Sequence, residues 1–239
     1  LEKYAKEQLQ QWLDDGTLED VIRSVLKYSP DWINVKYVGA VGDGVTDDSD
    51  AIINAFNTYD NVFIPAGTYV INKTITTLPK NLIGDNKASI LKLGSTTITP
   101  TTTRNKTITG ITLDSTVCAL KLSGNTDYLS CKDITIRGNG SSIGILLDDT
   151  MQERGLFYHN FNNTEIYECE TAIKFVCKNA ITTILFDHTI IKSCIHGISA
   201  TGNYFTIIQN TFNNLSIQNY QMAVPCFGIE WGGLLNYFN

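Results

Sequence analysis

Basic residues are scarce in this chain of 239 residues. Lys and Arg number 18 against 24 Asp and Glu, which gives a formal net charge of −6. Phosphate binding requires clustered Lys and Arg, so this balance argues against nucleic acid as the main partner. The sequence also lacks any run of about 18 or more apolar residues, so no membrane-spanning segment is predicted. No basic and then apolar signal peptide is recognisable at its start.

Known motifs for metals, phosphates and nucleophiles are missing as well. None of the six cysteines forms a CxxC pair, and no His/Cys cluster has the spacing of a zinc site. There is no nucleophile elbow and no phosphate loop. The sequence therefore predicts no cofactor, and the cysteines are interpreted as buried, small apolar residues. Free thiols of this kind suit assembly inside a reducing cell.

Hydrophobic residues, in contrast, make up 43% of the chain, so we expect a sizeable core and not disorder. Two regions are predicted: a helical attachment segment at 1–30 and a β-rich domain at 31–239. The first residue is Leu1, and the last residues resemble the middle of a strand. We therefore expect the chain to be truncated at its C-terminus and to be a piece of something longer.

The spacing of apolar residues predicts two helices over the first 28 residues. The first has its apolar face at Tyr4, Leu9, Trp12 and Leu13. Gly16 is suited to a left-handed C-cap, and Thr17 with Asp20 is suited to begin the second helix as a capping box. The stripe from Leu18 to Leu26 must be buried against something. Packing against its own chain and a junction with neighbouring subunits both remain open.

The stretch after this segment predicts a strand, a tight turn, a helix and two further strands. Asp43-Gly44 is a turn dipeptide, and Thr46 is a good N-cap for the helix that follows. Asp47 and Asp48 then fall in the first helical turn, where carboxylates interact favourably with the helix dipole. These local roles explain the acidic cluster, so it is interpreted as structural and not as a catalytic site.

The same stretch resembles the start of the pectate-lyase-like superfamily domain, whose pattern is YGAxGDGxTDDTxAIxxA followed by VxxPxGxY. The match covers residues 35–71 almost without gaps. In that family the motif forms the N-terminal cap of a right-handed β-helix. The resemblance thus implies an all-β fold, a right-handed single-stranded parallel β-helix preceded by a short α-helical segment. It assigns the structural cap to Asp43, Gly44, Thr46, Asp47 and Asp48.

Internal repetition supports a solenoid. A small-apolar-x-apolar unit begins at Ala119, Gly144, Ala172, Gly197 and Gly228, with successive offsets of 25, 28, 25 and 31 residues. A second unit interleaves with it: Ile111-Thr112-Leu113, Ile134-Thr135-Ile136, Glu165-Ile166-Tyr167, Thr189-Ile190-Ile191 and Leu215-Ser216-Ile217. These repeats define about five coils, stacked about 4.8 Å apart with Ile and Leu facing inward.

Two details follow from this alignment of repeats. The offset of 28 predicts a longer loop that contains the run from Asp148 to Gly155. Cys169 and Cys194 fall one coil apart in a turn. A stacked pair at such a position is interpreted as a packing ladder and not as a disulfide.

The densest group of candidate catalytic residues lies in that longer loop. Sugar-cleaving β-helices use paired carboxylates about 5–9.5 Å apart. Lyases of this fold use a basic residue beside acidic groups that often bind Ca²⁺. Catalysis is therefore predicted at Asp148, Asp149 and Glu153. Arg154 is predicted to bind substrate, and His159 lies nearby. Calcium is expected only if the protein is a lyase, and no other metal site is predicted.

A second set of titratable residues comprises Glu168, Glu170, Asp187 and His188, and it borders the second repeat unit of adjacent coils. It is predicted to lie on a different face from Asp148. His188 beside Asp187 invites an acid–base interpretation, but adjacent strand residues point to opposite faces. The pair is therefore not predicted to act together, and solvated loops are the simpler explanation of both sets.

Aromatic residues are too many for strand alternation to bury all of them. They are Tyr158, Phe161, Tyr167, Tyr204, Phe205, Tyr220, Trp231, Tyr237 and Phe238. Sugar rings stack on exposed aromatic faces, and protein interfaces also use such residues, so both functions remain open. Tyr158 and Tyr167 are predicted to bind substrate.

The order of a helical segment, the cap motif and a β-helix is most similar to phage tailspike and tail-appendage proteins of the pre-neck appendage kind. The resemblance implies a homotrimer in the virion tail, assembled in the host cytoplasm and attached to other tail proteins through residues 1–30. It implies binding of a host surface polysaccharide or wall polymer, with recognition better supported than depolymerisation by a lyase or glycoside hydrolase. Two alternatives remain: a secreted bacterial polysaccharide lyase or glycosidase, and a non-catalytic structural or adhesive β-helix.

Overall fold

A short helix precedes a stack of parallel strands. The computed structural model describes residues 2–14, 32–124, 126–150, 155–202, 207–218, 227–230 and 237–238. Helix α1 runs Glu2–Asp14, and it leaves Trp12 and Leu13 exposed. The second predicted helix, with its cap at Thr17, lies outside the described residues. No helix among those described is long and apolar enough to cross a membrane.

The strands are short and are separated by tight corners. In chain order they are β1 Trp32–Asn34, β2 Asp43–Asp47, β3 Asn61–Ile64, β4 Gly67–Val70, β5 Asn81–Gly84, β6 Ser89–Gly94, β7 Lys106–Thr109, β8 Ile111–Ser115, β9 Cys118–Ser123, β10 Leu129–Lys132, β11 Thr135–Arg137, β12 Ile143–Asp148, β13 Leu156–Phe157, β14 Asn160–Tyr167, β15 Thr171–Cys177, β16 Ile181–Thr182, β17 Leu185–Lys192, β18 His196–Gly202, β19 Ile207–Ile208, β20 Thr211–Asn213, β21 Ser216–Gln218, β22 Phe227–Glu230 and β23 Tyr237–Phe238. A 3₁₀ helix, Val35–Val38, and helix α2, Ser49–Thr58, lie among the first strands.

Each strand pairs in parallel with strands of neighbouring coils, which builds three faces. The first face contains β1, β3, β5, β7, β10, β14, β17, β20 and β23. The second contains β2, β4, β6, β8 and β11, then the second halves of β14 and β17, then β21. The third contains β9, β12, β15, β18 and β22, and the small sheet β13, β16 and β19 closes these coils. The result is a right-handed parallel β-helix of about seven turns, which confirms the predicted fold class.

The number of turns exceeds the five that the repeats define. The coils before Ile111 have no full strand in the third face, where only isolated bridges join Ile75 to Ile98 and Ile98 to Leu120. The small-apolar-x-apolar unit therefore does not occur in these coils, and the repeat pattern missed them.

The first repeat unit is aligned as predicted. Leu120 pairs with Ile145, and Ile145 pairs with Ile173 on the next coil. The chain needs residues 149–155 to pass from β12 to β13, but only 178–180 to pass from β15 to β16. The longer loop predicted from the offset of 28 is thus confirmed, but it begins at Asp149, because Asp148, which was predicted to lie in it, ends β12.

The second repeat unit is misaligned by one residue on one coil. Glu165 pairs with Thr135 and with Ile190, so the true unit is 164–166 and the predicted 165–167 is wrong. Ile166 is fully buried while Tyr167 is half-buried. A slip of one residue turns each side chain of a strand to the other face, and only the alignment on Ile166 keeps the apolar side chain inside.

Stacked side chains fill the core behind the first face. The rings of Phe161 and Phe186 have centroids 4.7 Å apart, and those of Phe186 and Phe212 lie 5.1 Å apart, both nearly parallel. These distances match the spacing of neighbouring strands. Phe161, which was expected among the surface aromatics, is therefore a core residue.

Cysteines stack in the same way between the second and third faces. Register places Cys169 one coil from Cys194, and both are fully buried. Their thiols donate to the carbonyls of Tyr167 and Lys192, at 3.6 and 3.3 Å. Among the described cysteines, Cys118, Cys131 and Cys169 are free thiols. The predicted packing ladder is confirmed.

The cap motif differs from the prediction in where its helix begins. Helix α2 starts at Ser49, so the prediction of Thr46 as its N-cap is wrong, and Asp47 and Asp48 precede its first turn. Asp47 accepts a hydrogen bond from the Ser49 amide at 3.0 Å. Gly44 has a φ of +81°, which a residue with a side chain rarely adopts.

The carboxylates of Asp43 and Asp48 accept hydrogen bonds from loop amides. Because these residues shape the loop, helix α2 begins at Ser49 and not directly after Thr46. Asp43 accepts hydrogen bonds from the Thr46 amide at 2.7 Å and from its hydroxyl at 2.8 Å. The buried Asp48 carboxylate accepts from the amides of Val41 and Gly42, at 2.6 and 3.1 Å. These bonds close the loop at the end of the solenoid.

Candidate functional site

One edge of the solenoid carries a column of residues in the left-handed backbone conformation. They are Asn105, Tyr128, Tyr158, Thr183 and Gln209, with φ between +54° and +61°. Strand register places them on successive coils, just before the first face, and all five are exposed. We call this row the aromatic corner. The conformation is strained for residues that carry a Cβ, so its occupation by two tyrosines is unusual.

The two tyrosines of the aromatic corner stack on each other in the open. The ring centroids of Tyr128 and Tyr158 are 4.8 Å apart and the planes differ by 13°. Their exposed fractions are 44% and 49%. The guanidinium carbon of Arg104 lies 5.6 Å from the Tyr128 centroid, within the range of a cation–π contact. Arg104, Tyr128 and Tyr158 therefore form a continuous cation–aromatic column along the corner.

Asp127 fixes the cation of this column. Its carboxylate lies 2.6 Å from Arg104 Nη2, and this hydrogen bond, with the charge of Asp127, raises the pKa of Arg104. Beside the column is a groove of about 290 Å³, lined by Thr102, Arg104, Gly124, Thr126, Asp127, Gly155 and Phe157. Flat ring faces next to fixed donors and acceptors suit a ligand that has both apolar faces and hydroxyls.

Asp148 is held as an ionised group. It ends β12, and its carboxylate lies 2.8 Å from Lys121 Nζ. It also accepts hydrogen bonds from the Thr150 amide at 3.0 Å and hydroxyl at 2.6 Å. Burial opposes ionisation, but the bonds from Lys121 and Thr150 lower the pKa of Asp148. A general acid requires the opposite shift.

Asp149 is fully buried and binds backbone. Its carboxylate accepts hydrogen bonds from the amides of Asn179 and Ala180, at 2.8 and 2.6 Å, and from the amide of Lys178. The side chain thus shapes the turn of the next coil, and this position weighs against a role in catalysis. Glu153 and Arg154 lie outside the described residues. Catalysis by Asp148, Asp149 and Glu153, and substrate binding by Arg154, stay predictions.

The structure does not bring the two predicted substrate-binding tyrosines together. Tyr158 precedes β14, whereas Tyr167 ends it on the second face. Tyr167 has its own cation: the Arg137 guanidinium carbon lies 5.5 Å from the ring centroid, and Arg137 Nε donates to the hydroxyl at 3.0 Å. Tyr167 is therefore a separate surface feature.

Asp187 and His188 do meet, contrary to the argument from strand alternation. His188 Nδ1 lies 3.0 Å from Asp187 Oδ1. His188 has a φ of +51°, and this corner inside β17 interrupts the alternation. It belongs to a second left-handed column, Asp133, Asn163, His188 and Asn214, where the first face passes into the second. We call this row the polar corner, and it lies on a different face from Asp148.

Metal-ligating side chains are not clustered in the part of the chain that the structure describes. It contains no group of three or more His, Cys, Asp or Glu residues placed to hold a metal ion. The calcium expected of a lyase stays a prediction.

Sequence reasoning missed Tyr128 of the aromatic corner, and it missed Arg104 and Asp127 beside that corner. The available signal was the offset of 30 between Tyr128 and Tyr158, which is the same offset that pairs Cys131 with Phe161. Extending the repeat alignment past the strands into the corners would have placed the two rings on neighbouring coils.

Comparison with known proteins agrees with this architecture. The chain belongs to the rhamnogalacturonase A/epimerase, pectate lyase-like family, whose model matches residues 32–232. Pre-neck appendage proteins of Bacillus phages B103 and phi29 are each 36% identical over 84 residues. The matched part is 35% of this chain and only 10% of either relative.

Solved phage structures share the fold. The N-terminal fragment of bacteriophage phi29 gene product 12 has a TM-score of 0.55 at 18% identity, covering 90% of this chain and 46% of that one. The phiAB6 tailspike, solved with oligosaccharides of Acinetobacter baumannii surface polysaccharide, has a TM-score of 0.50 at 19% identity. It covers 88% of this chain and 45% of the tailspike. At these identities the likeness is one of fold.

Proposed function

We propose that this chain is part of a phage tail appendage whose β-helix binds a polysaccharide or wall polymer of the host surface. The pre-neck appendage relatives support the setting, and the family supports a carbohydrate ligand. The observation that carries the proposal is the exposed Tyr128–Tyr158 stack with Arg104 beside it. Aromatic faces left open to solvent beside fixed polar groups are suited to sugar rings.

Binding to a panel of purified bacterial surface polysaccharides and wall polymers tests this proposal. We expect Y128A and Y158A each to weaken binding about tenfold, which corresponds to about 1.4 kcal/mol of lost contact. The matched control is Y37A, which removes a tyrosine that is 51% exposed on the cap. Binding that both variants retain would move the site elsewhere. Failure of the unaltered chain to bind any polymer of the panel would contradict the proposed function.

We propose recognition, and not cleavage, as the activity of this segment. Asp148 is ion-paired with Lys121, and Asp149 is engaged by three backbone amides. Asp148, whose pKa is lowered, does not provide the protonated carboxyl that glycoside hydrolysis requires, and the Asp149 carboxylate is occupied by backbone. The decisive measurement is release of reducing or unsaturated sugar from a polymer that binds. Release that disappears in D148N would establish a depolymerase and overturn this choice.

We also propose that the chain forms homotrimers in the virion tail and attaches to other tail proteins through residues 1–30. Helix α1 supports an interface there, because Trp12 and Leu13 are 42% and 55% exposed. The free thiols of Cys118, Cys131 and Cys169 support assembly in the reducing host cytoplasm. Light scattering should give a trimer at all concentrations, and a strictly monomeric particle would contradict the proposal. Loss of tail incorporation in W12K, with trimerisation intact, would locate the attachment.

A further inference from the structure

A second column runs inside the solenoid, directly behind the aromatic corner. Leu129, His159, Ile184 and Asn210 occupy it on successive coils, and each is at most 1% exposed. Two of the four are polar, although the column faces the core. Buried polar side chains are normally hydrogen-bonded, so their partners show what they do there.

Asn210 binds the backbone of the coil before it. Its Oδ1 accepts a hydrogen bond from the Ile184 amide at 3.0 Å, and its Nδ2 donates to the Ile181 carbonyl at 3.1 Å. These two bonds enclose Thr183, the residue of the aromatic corner on that coil. An amide side chain at this position therefore clamps the corner from inside.

His159 makes the corresponding contact two coils earlier. Its Nδ1 accepts a hydrogen bond from the Leu129 amide at 3.3 Å. Because Nδ1 accepts, the neutral ring carries its proton on Nε2. That atom is buried and makes no hydrogen bond of ordinary geometry in the described part of the chain, although the Thr126 backbone lies close enough to the ring to favour its protonated form. A single bond to a neutral imidazole thus replaces the two bonds of the Asn210 clamp.

We propose that His159 is a positioning residue that holds the Tyr128–Tyr158 stack together while neutral and releases it when protonated. Leu129 follows Tyr128, and His159 follows Tyr158, so their hydrogen bond joins the two backbone segments that carry the stacked rings. The consequence for polysaccharide binding rests on the proposed function. The effect on the rings themselves does not.

Burial and the groups around the His159 imidazole determine the pH at which the stacked rings are released. Burial lowers the pKa of His159 to about 4, against its ordinary value of 6.5, while the Thr126 backbone and the Asp127 charge act in the opposite direction. Asp127 is itself paired with Arg104. A protonated ring presents N–H at both nitrogens, so it cannot accept from the Leu129 amide. Acid therefore favours any state in which the clamp is open and the ring reaches water.

The test measures the stacking of Tyr128 and Tyr158 directly, in the absence of any glycan. Protein labelled with 3-fluorotyrosine is titrated from pH 7.5 to about 3, through the His159 pKa of about 4, with the two resonances assigned by Y128F and Y158F. We expect both signals of the unaltered chain to move towards solvent-exposed values with acid. H159N carries the side chain that Asn210 uses, so its rings should stay stacked throughout. Polymer binding, where present, should fall about tenfold with acid in the unaltered chain and stay constant in H159N.

Three outcomes separate the explanations. Acid-induced movement of the rings that persists in H159N would overturn the proposal and implicate Asp127 instead. Rings that do not move in the unaltered chain would also overturn it. Ring signals that follow His159, in a chain that binds no polymer, would support the positioning role and contradict the proposed function. H159L, which removes the acceptor, should unstack the rings at pH 7.5; if H159L does not fold, the H159N comparison decides alone.

Discussion

The aromatic corner and the polar corner make the same backbone turn with different residues. Asn163 and Asn214 in the polar corner tolerate a left-handed conformation, because a short polar side chain can bond locally. Tyr128, Tyr158 and Thr183 have no such tolerance, and the conformation costs roughly 1–2 kcal/mol per residue. Strain that local preference does not explain points to function. The contrast therefore supports the proposal that the aromatic corner is the binding surface.

The two corners also differ in what lies behind them. His159 and Asn210 bind backbone behind the aromatic corner. Behind the polar corner are Thr164 and Thr189, whose buried hydroxyls have no hydrogen-bond partner among the described residues. Only the strained corner is clamped from inside, so side chains in the core maintain an arrangement on the surface.

The largest expected effect comes from removing a clamp. N210A leaves the Ile184 amide and the Ile181 carbonyl buried without a partner, and we expect it to lower the free energy of unfolding by about 2–4 kcal/mol. The matched control is N214G, which removes an exposed asparagine side chain in the polar corner without adding left-handed strain and should cost less than about 0.5 kcal/mol. Urea unfolding followed by circular dichroism measures both. Equal losses would remove the contrast between the corners.

Acid should weaken the clamped corner next. The pKa of His159 is about 4 in the folded chain, below the ordinary 6.5, so the unfolded chain binds the extra proton between these values. The stabilisation is complete above pH 6.5 and is lost as pH falls towards 4, by about 3 kcal/mol in total. H159N should lack this component. Urea unfolding gives the free energy of unfolding against pH for the unaltered chain and for H159N. The difference between these two profiles separates the His159 contribution from carboxylate titration. Parallel profiles would contradict the pKa assigned to His159.

The smallest expected effect concerns strain alone. T183G should raise the free energy of unfolding by about 1 kcal/mol, because glycine relieves a left-handed β-branched residue. N214G in the polar corner should change it by less than about 0.5 kcal/mol, since asparagine already tolerates the conformation. Thermal unfolding compares the two variants. A stabilisation of equal size at both positions would show that the corners are equally strained.

The sequence predicts most of the fold because the fold repeats. Alternation of buried side chains aligned Ala119 with Gly144 and Ala172, and it placed Cys169 on Cys194. The alignment was wrong at Glu165. Both the predicted unit 165–167 and the true unit 164–166 contain Ile166, so the apolar pattern alone did not distinguish them. The repeat pattern did not detect the first coils, because Ile75 and Ile98 form only isolated bridges there and no strand surrounds them.

The candidate site is harder to predict because a corner has no period. The stacking of Tyr128 on Tyr158 becomes apparent only when their two coils are superimposed. The left-handed conformation of His188 likewise cannot be inferred from alternation, and it brings Asp187 into contact against that rule. Acidic spacing drew attention to Asp149, but spacing does not show that a carboxylate is buried against the turn of the next coil.

Asp149 and His159 also have a mechanical consequence. Asp149 reaches forward from the coil of β10–β13 to amides of the coil of β14–β16. His159 reaches back across the same junction to Leu129. A pull along the solenoid axis must break both fastenings, besides the strand ladders, before these coils separate. We therefore expect the chain to yield first at junctions that lack such cross-bonds, so the stacked tyrosines would keep their spacing under load.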